Sequence, residues 1–419
     1  MSTPDLTPEL HTLPTHPNLR HLKDQARDLL KAGQAQTLNE AQFKTARMYG
    51  FASWSKLKAY VDSLGLVGEL KGAIDAEDLP LVKRLMTHYP DLHRAPMGYG
   101  NDGPLTWVAE CRIPRRAPTE ARLEMASWMI ENGSDVHQGG DGPLMRAALV
   151  DHRIPMMELL VRYGANVNAL WHGHYPIIFA PCETLAPEAL RWLLAHGADP
   201  TTSSQHGSPV AMLIGTYSRA SAGKHACLEV MVEAGFTLPD TPVMALHRGR
   251  VDMLQRHLDR ERRILEQRFS GEEIYPPELG LKADDGLTTT PVEGSTLLHL
   301  AIEYDDLETA RWLLEQGADP NARATVDAEG FGGHTPLFHA VVCLGDRSET
   351  KARLLLTHGA NPNMRATFRK QLRDMGDPEK ERMVVFQDAT PIDYARQYVE
   401  PDWVSEAALS ALVAAGSSV

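Results

Sequence analysis

Residues 308–316 (ETARWLLEQ) form an amphipathic stretch that stops at Gly317-Ala318-Asp319-Pro320. The same stop recurs as Gly164-Ala165-Asn166-Val167, Gly197-Ala198-Asp199-Pro200 and Gly359-Ala360-Asn361-Pro362. Weaker copies stand at Gly133-Ser134-Asp135-Val136 and Gly235-Phe236-Thr237-Leu238. Glycine ends such a helix because it takes left-handed backbone at no steric cost. A second phrase keeps step with the first. It reads Ser295-Thr296-Leu297-Leu298-His299-Leu300-Ala301, His334-Thr335-Pro336-Leu337-Phe338-His339-Ala340 and Ala389-Thr390-Pro391-Ile392-Asp393-Tyr394-Ala395. Pro143, Pro176, Pro209 and Pro242 carry weaker versions and lie 33 residues apart, the period of a turn plus two helices. The spacing predicts a solenoid of stacked units.

Two phrases sharing one period resemble the ankyrin repeat, and the resemblance covers roughly residues 69–419. It implies an all-α solenoid of helix-turn-helix units with β-turn or hairpin connections. About nine units begin near residues 69, 100, 139, 172, 205, 239, 294, 332 and 388. Each phrase has a physical reason. Threonine caps the first helix by accepting from its orphan amides, and proline at the first helical position loses an N–H that had no partner. The closing alanine keeps the first helix thin, while Leu159-Leu160, Leu193-Leu194, Leu313-Leu314 and Leu355-Leu356 fill the seam between units. No unit buries its apolar face alone, so stability is close to a sum of neighbour interfaces.

Residues 1–18 read as an irregular tail and 19–65 as a small three-helix cap. In the cap, Thr37 and Glu40 form a capping box, Ser53 caps the third helix, and Gly33, Gly50 and Gly65 end the helices. This leader resembles one that precedes ankyrin arrays in bacterial proteins. Insertions interrupt the array near 111–119, 259–293, 322–334 and 364–388. The second of these reads as a charged helix extension (DRERRILEQRF) followed by a loop. The last reads as ordered and helical, with Phe368, Leu372 and Met375 at helical spacing, a turn at Gly376-Asp377-Pro378 and a second short helix.

Net charge is −13, but residues 19–60 hold eight Lys/Arg against three Asp/Glu; this +5 leaves −18 elsewhere. Such an array repels nucleic acid and anionic membrane and suits a protein partner. Cys111, Cys182, Cys227 and Cys343 show no paired spacing, so no disulfide framework is expected. The opening residues lack a basic start and an apolar run, and no stretch reaches the length of a membrane span. The expectation is a cytoplasmic protein.

Catalytic phrases do not occur: there is no His-Glu-x-x-His, no Gly-x-Ser-x-Gly and no glycine-rich nucleotide fingerprint. Gly223-Lys224 resembles the end of a phosphate loop, but His225 stands where Ser or Thr would bind magnesium. No catalytic residue, cofactor or metal is assigned. His299 occupies the motif histidine position, and the resemblance implies that its ring bonds the backbone of a turn. His196 and His358 precede helix-ending glycines and are expected to serve the helix C-terminus.

A surface remains. The resemblance implies a concave face, lined by turns and inner helices, that binds macromolecules. Trp107, Trp171, His172, His174, Tyr175, His206, Phe331 and Phe368 are the candidate contacts, because aromatic side chains supply most interface hot spots. Phe331 and Phe368, inside insertions, are expected to pack locally. The leading reading is a non-enzymatic scaffold for a protein partner. A ligand- or metal-dependent enzyme built from the insertions after repeats six to eight, and a nucleic-acid adaptor acting through residues 19–60, are the alternatives.

Overall fold

A computed structural model describes residues 11–13, 17–110, 117–205, 207–282, 286–372, 382–398 and 400–417. The leader forms α1 (Leu19–Lys31), α2 (Leu38–Met48) and α3 (Trp54–Leu64). Asn18, Thr37 and Ser53 cap them as side-chain acceptors. Glu40 N–H donates to Thr37 Oγ1 at 3.1 Å, but the Glu40 carboxylate accepts from Gln36 N–H at 2.7 Å, one residue before the cap. The leader core is small: Leu22, Ala46, Leu57 and Val61 in one cluster, Ala26, Ala35 and Ala41 in another.

Nine helix pairs follow among the described residues. They are α4 (Leu66–Asp75) with α5 (Leu79–His88), α6 (Pro104–Glu110) with α7 (Glu120–Glu131), α8 (Gln138–Ala147) with α9 (Ile154–Arg162), and α10 (Phe179–Thr184) with α11 (Pro187–Ala195). Next come α12 (Pro209–Gly215) with α13 (Ser221–Glu233) and α14 (Pro242–His247) with α15 (Val251–Arg260). A short α16 (Gly271–Ile274) intervenes before α17 (Leu297–Glu303) with α18 (Leu307–Glu315), α19 (Pro336–Val341) with α20 (Thr350–Thr357), and α21 (Pro391–Gln397) with α22 (Glu406–Ala414). The chain divides into two units, Met1–Arg146 with Pro155–Ala165, and Ala147–Ile154 with Asn166–Val419. No described helix is long and apolar enough to cross a membrane.

The Gly-Ala phrase closes helices by one repeated device. Gly317 N–H reaches Leu314 O at 3.0 Å and Ala318 N–H reaches Leu313 O at 2.9 Å, with Gly317 at φ 97. Gly164, Gly197 and Gly359 do the same on their own helices. This paired return of two amides onto the last turn satisfies carbonyls that the helix leaves open. The turn then ties one repeat to the next. Asn321 Nδ2 donates to Gly359 O at 2.9 Å and its Oδ1 accepts from Asn361 N–H at 2.7 Å. Asn168 makes the equivalent pair with Gly197 and Asp199, both at 2.8 Å.

The motif residues hold the first helices as expected. Ser208, Thr241 and Thr390 accept from amides three residues on. The His299 ring bonds Thr296 Oγ1 through Nδ1 at 2.8 Å and donates from Nε2 to His334 O at 3.2 Å. His196 and His358 each donate from Nδ1 to the carbonyl four residues back at 2.8 Å, closing α11 and α20. Every residue of α17 and of α19 is buried.

Two expectations about the insertions are corrected. The described residues of 364–388 do not form helices: β3 (Ala366–Leu372) pairs antiparallel with β4 (Arg382–Ala389), Phe368 opposite Phe386. Met383-Val384-Val385-Phe386 is a short apolar run whose β-branched pair favours a pleated surface over a helix, with Met383 and Val385 exposed and Phe386 buried. Gly376-Asp377-Pro378 and Met375 lie outside the described residues. The charged stretch after residue 259 is not a helix extension either. α15 ends at Arg260, Glu261 turns extended, and a 3-10 turn (Arg262–Leu265) buries Ile264 and Leu265. Three of the four cysteines are described, and all three are buried free thiols.

Candidate functional site

The turn between α9 and α10 projects a hairpin of two very short strands, Leu170–Trp171 (β1) and Tyr175–Pro176 (β2). His172 at φ 49 and Gly173 at φ 77 make its tip, a left-handed pair whose twist matches the flanking strands. His174 Nδ1 bonds His172 O at 3.0 Å and fixes the loop. Leu170 is 45% exposed, His172 and His174 are exposed, and Trp171 is half-buried. The indole stands edge-on to the His172 ring at 4.6 Å and to the Tyr175 ring at 5.9 Å.

Tyr175, opposite Trp171 in the hairpin, reaches on to the following helix. Its hydroxyl donates to Glu183 Oε2 at 2.7 Å, and its ring meets the buried Phe179 at 5.7 Å. Burial, and then the Glu183 carboxylate, push its phenol far above the usual tyrosine range. Tyr175 therefore braces the hairpin, while Leu170, Trp171 and the two histidines form its outer surface.

The remaining candidates are scattered. Trp107 sits on α6 with only 7% exposure, donating from Nε1 to Asp75 Oδ1 at 2.9 Å, with Lys71 Nζ 4.5 Å above its ring. That ring is helix packing and not a turn residue. His206 lies outside the described residues. Phe331 is half-buried beneath the Arg369 guanidinium at 4.7 Å, on a turn whose amides converge on Asp327. Phe368 is fully buried among Phe338, Phe386 and Tyr394. Local packing of both phenylalanines is as expected. Among the described residues no three His, Cys, Asp or Glu side chains converge as metal ligands.

The second unit also holds a buried polar seam that no local sequence signal marks. Arg219 ion-pairs with Glu303 at 3.1 Å, and Glu303 Oε2 meets His339 Nδ1 at 2.8 Å, with all three side chains nearly inaccessible. Burial alone would raise the Glu303 carboxyl, but His339 and Arg219 outweigh it and hold it below the ordinary range. Lys224 Nζ bonds His247 Nδ1 at 2.9 Å and lies 4.0 Å from the centre of the Tyr304 ring. Burial, then the charge of Arg219, drive the Lys224 amine well below its usual range. The segment 286–293 packs against Arg219 and Glu303 of this seam. Its Thr289 N–H donates to Glu303 Oε1 at 3.2 Å, and Thr289 Oγ1 donates to Val342 O at 2.7 Å. The inner-helix face of α17, α19 and α21 is thus covered by the chain itself.

Family models agree with this architecture over part of the chain. Residues 139–171 match the ankyrin repeat model, and residues 245–366 match the model of ankyrin repeats in three copies. A protein of Fowlpox virus (strain NVSL), named as an ankyrin repeat protein, is 25% identical over 282 residues. That match covers 65% of this chain and 44% of the viral one, so the chain spans less than half of its relative.

Proposed function

This chain is an ankyrin-repeat protein, and we propose that it acts by holding a protein partner on its turn and inner-helix face, without chemistry of its own. Ankyrin repeats serve generally as protein-interaction modules. The single observation that carries the reading here is the hairpin tip 170–174. An exposed Leu170 and a half-exposed Trp171 contribute little to a stacked core, because the Tyr175–Glu183 and Tyr175–Phe179 contacts already anchor the hairpin. An aromatic and an aliphatic side chain on a rigid, water-facing turn are suited to fill a pocket on a partner. The leader, whose α3 packs on α4, caps the first repeat in this reading.

The test is a paired capture. The Leu170→Ala, Trp171→Ala double variant keeps Tyr175 in place, so its thermal unfolding stays close to wild type. Proteins retained by the wild type and lost by the variant are then measured for affinity. Hot-spot truncation predicts a loss of more than about 1 kcal/mol. Equal affinity of both proteins for every retained partner removes the hairpin from the binding face.

A further inference from the structure

Residues 287–291 (LTTTP) form neither helix nor strand, yet they lie against the first helices of several repeats. We propose that the face they cover is a peptide-binding groove, occupied in cis by this segment, which accepts an external hydroxyl-rich peptide ending in proline in its place. The proposal deepens the protein-binding reading but rests on residues distinct from the hairpin tip, so each fails on its own test.

The support lies in how the segment is held. Alternate main-chain groups are met by the groove. Leu287 N–H donates to Gly215 O at 3.3 Å, and Leu287 O accepts from the Arg219 guanidinium. Thr289 N–H donates to Glu303 Oε1 at 3.2 Å, and Thr289 O accepts from the Tyr394 hydroxyl at 3.1 Å. Pro291 O accepts from His334 Nε2 at 2.9 Å. Surface connections ordinarily leave such groups to water. Here the Gly215 carbonyl and side chains from distant repeats supply them, which is how a surface recognises an incoming backbone.

The side chains define the ligand class. Thr289 Oγ1 donates to Val342 O at 2.7 Å, Thr290 Oγ1 to Phe338 O at 3.4 Å, and Thr288 Oγ1 accepts from Lys370 Nζ at 3.3 Å. Three consecutive hydroxyls are read, and the proline that follows brings no N–H to satisfy. Each of these side-chain bonds goes to a main-chain carbonyl or to Lys370, so another peptide offering the same groups makes the same bonds. Entry of the segment depends on Gly286, where an added Cβ would lie 1.7 Å from the Tyr275 hydroxyl.

The experiment uses the full chain and a fluorescent peptide Gly-Leu-Thr-Thr-Thr-Pro-Val-Glu, followed by anisotropy. One variant carries Leu287→Gly, Thr288→Ser, Thr289→Gly, Thr290→Ser and Pro291→Gly; a second carries only Gly286→Ala. A tethered segment competes at about millimolar effective concentration, so the wild type binds the peptide at least about tenfold more weakly than the first variant. Gly286→Ala falls between them, and adding Glu303→Gln to the first variant weakens it again. Absence of saturable binding to the folded first variant overturns the proposal. So does equal binding by the wild type, or equal binding of a peptide with valine in place of each threonine. If the first variant loses its cooperative thermal transition, return of that transition on adding peptide supports the groove, and failure to return contradicts it.

Discussion

His334 shows what burial does to a single side chain in this fold. Its ring is enclosed, and burial, reinforced by the neighbouring His339, pushes it from 6.5 down to about 3. His247 and His299 move the same way, with burial again the largest cause. Each ring stays neutral in the folded protein while the unfolded chain takes up a proton below about 6.5. The unfolded state then binds more protons, so stability falls as pH drops from there, by up to ~1.4 kcal/mol per pH unit for each ring. Urea unfolding at pH 7 and pH 5 is expected to show a lower midpoint at pH 5. A His334→Gln variant should show a shallower dependence, and an unchanged slope would remove His334 from the cause. Ala301 makes a steric counterpart. It is fully buried on α17, so Ala301→Glu places an unpartnered carboxylate between stacked helices and costs several kcal/mol. Glu329, by contrast, meets Arg369 at the exposed tip of an insertion, and Glu329→Ala costs about 0–1 kcal/mol. Similar melting shifts in the two variants would contradict the repeat phase.

The elements differ in how far the sequence discloses them. Helix starts at Ser53, Thr241 and Thr390, and helix stops at Gly317 and its equivalents, follow from bonds made within a few residues, so local pattern suffices. The reading of 364–388 as helical came from three apolar residues at helical spacing, whereas Phe368 faces Phe386 across a hairpin and packs on Tyr394. That contact joins residues well apart in sequence, and the β-branched pair Val384-Val385 in β4 was the available signal. The 259–268 run has a similar lesson, since Ile264 and Leu265 turn inward where the charges suggested a solvated helix. At the candidate site, the Trp171 hairpin was legible because turn position alone exposes its tip. The role of Tyr175 was not, because Glu183 lies on the following helix. Least legible was the seam under 286–293, whose partners Arg219, Glu303 and Tyr394 come from three separate repeats.

At the scale of the molecule, the repeats contribute stability through neighbours, and function depends on which face stays open. The net charge of −13, with residues 19–60 carrying +5, favours a partner with basic or neutral character over nucleic acid. Within the second unit, the inner-helix face of α17 to α21 is met by the segment 286–293 of the chain itself. The proposed protein partner is held on the turn face. A photo-reactive phenylalanine analogue placed at Leu170, and separately at the exposed Arg311 on the outer helix α18, tests it directly in the native cell. A discrete cross-linked protein is expected from position 170 and none from position 311. Cross-links from position 311 alone, with none from 170, would contradict it.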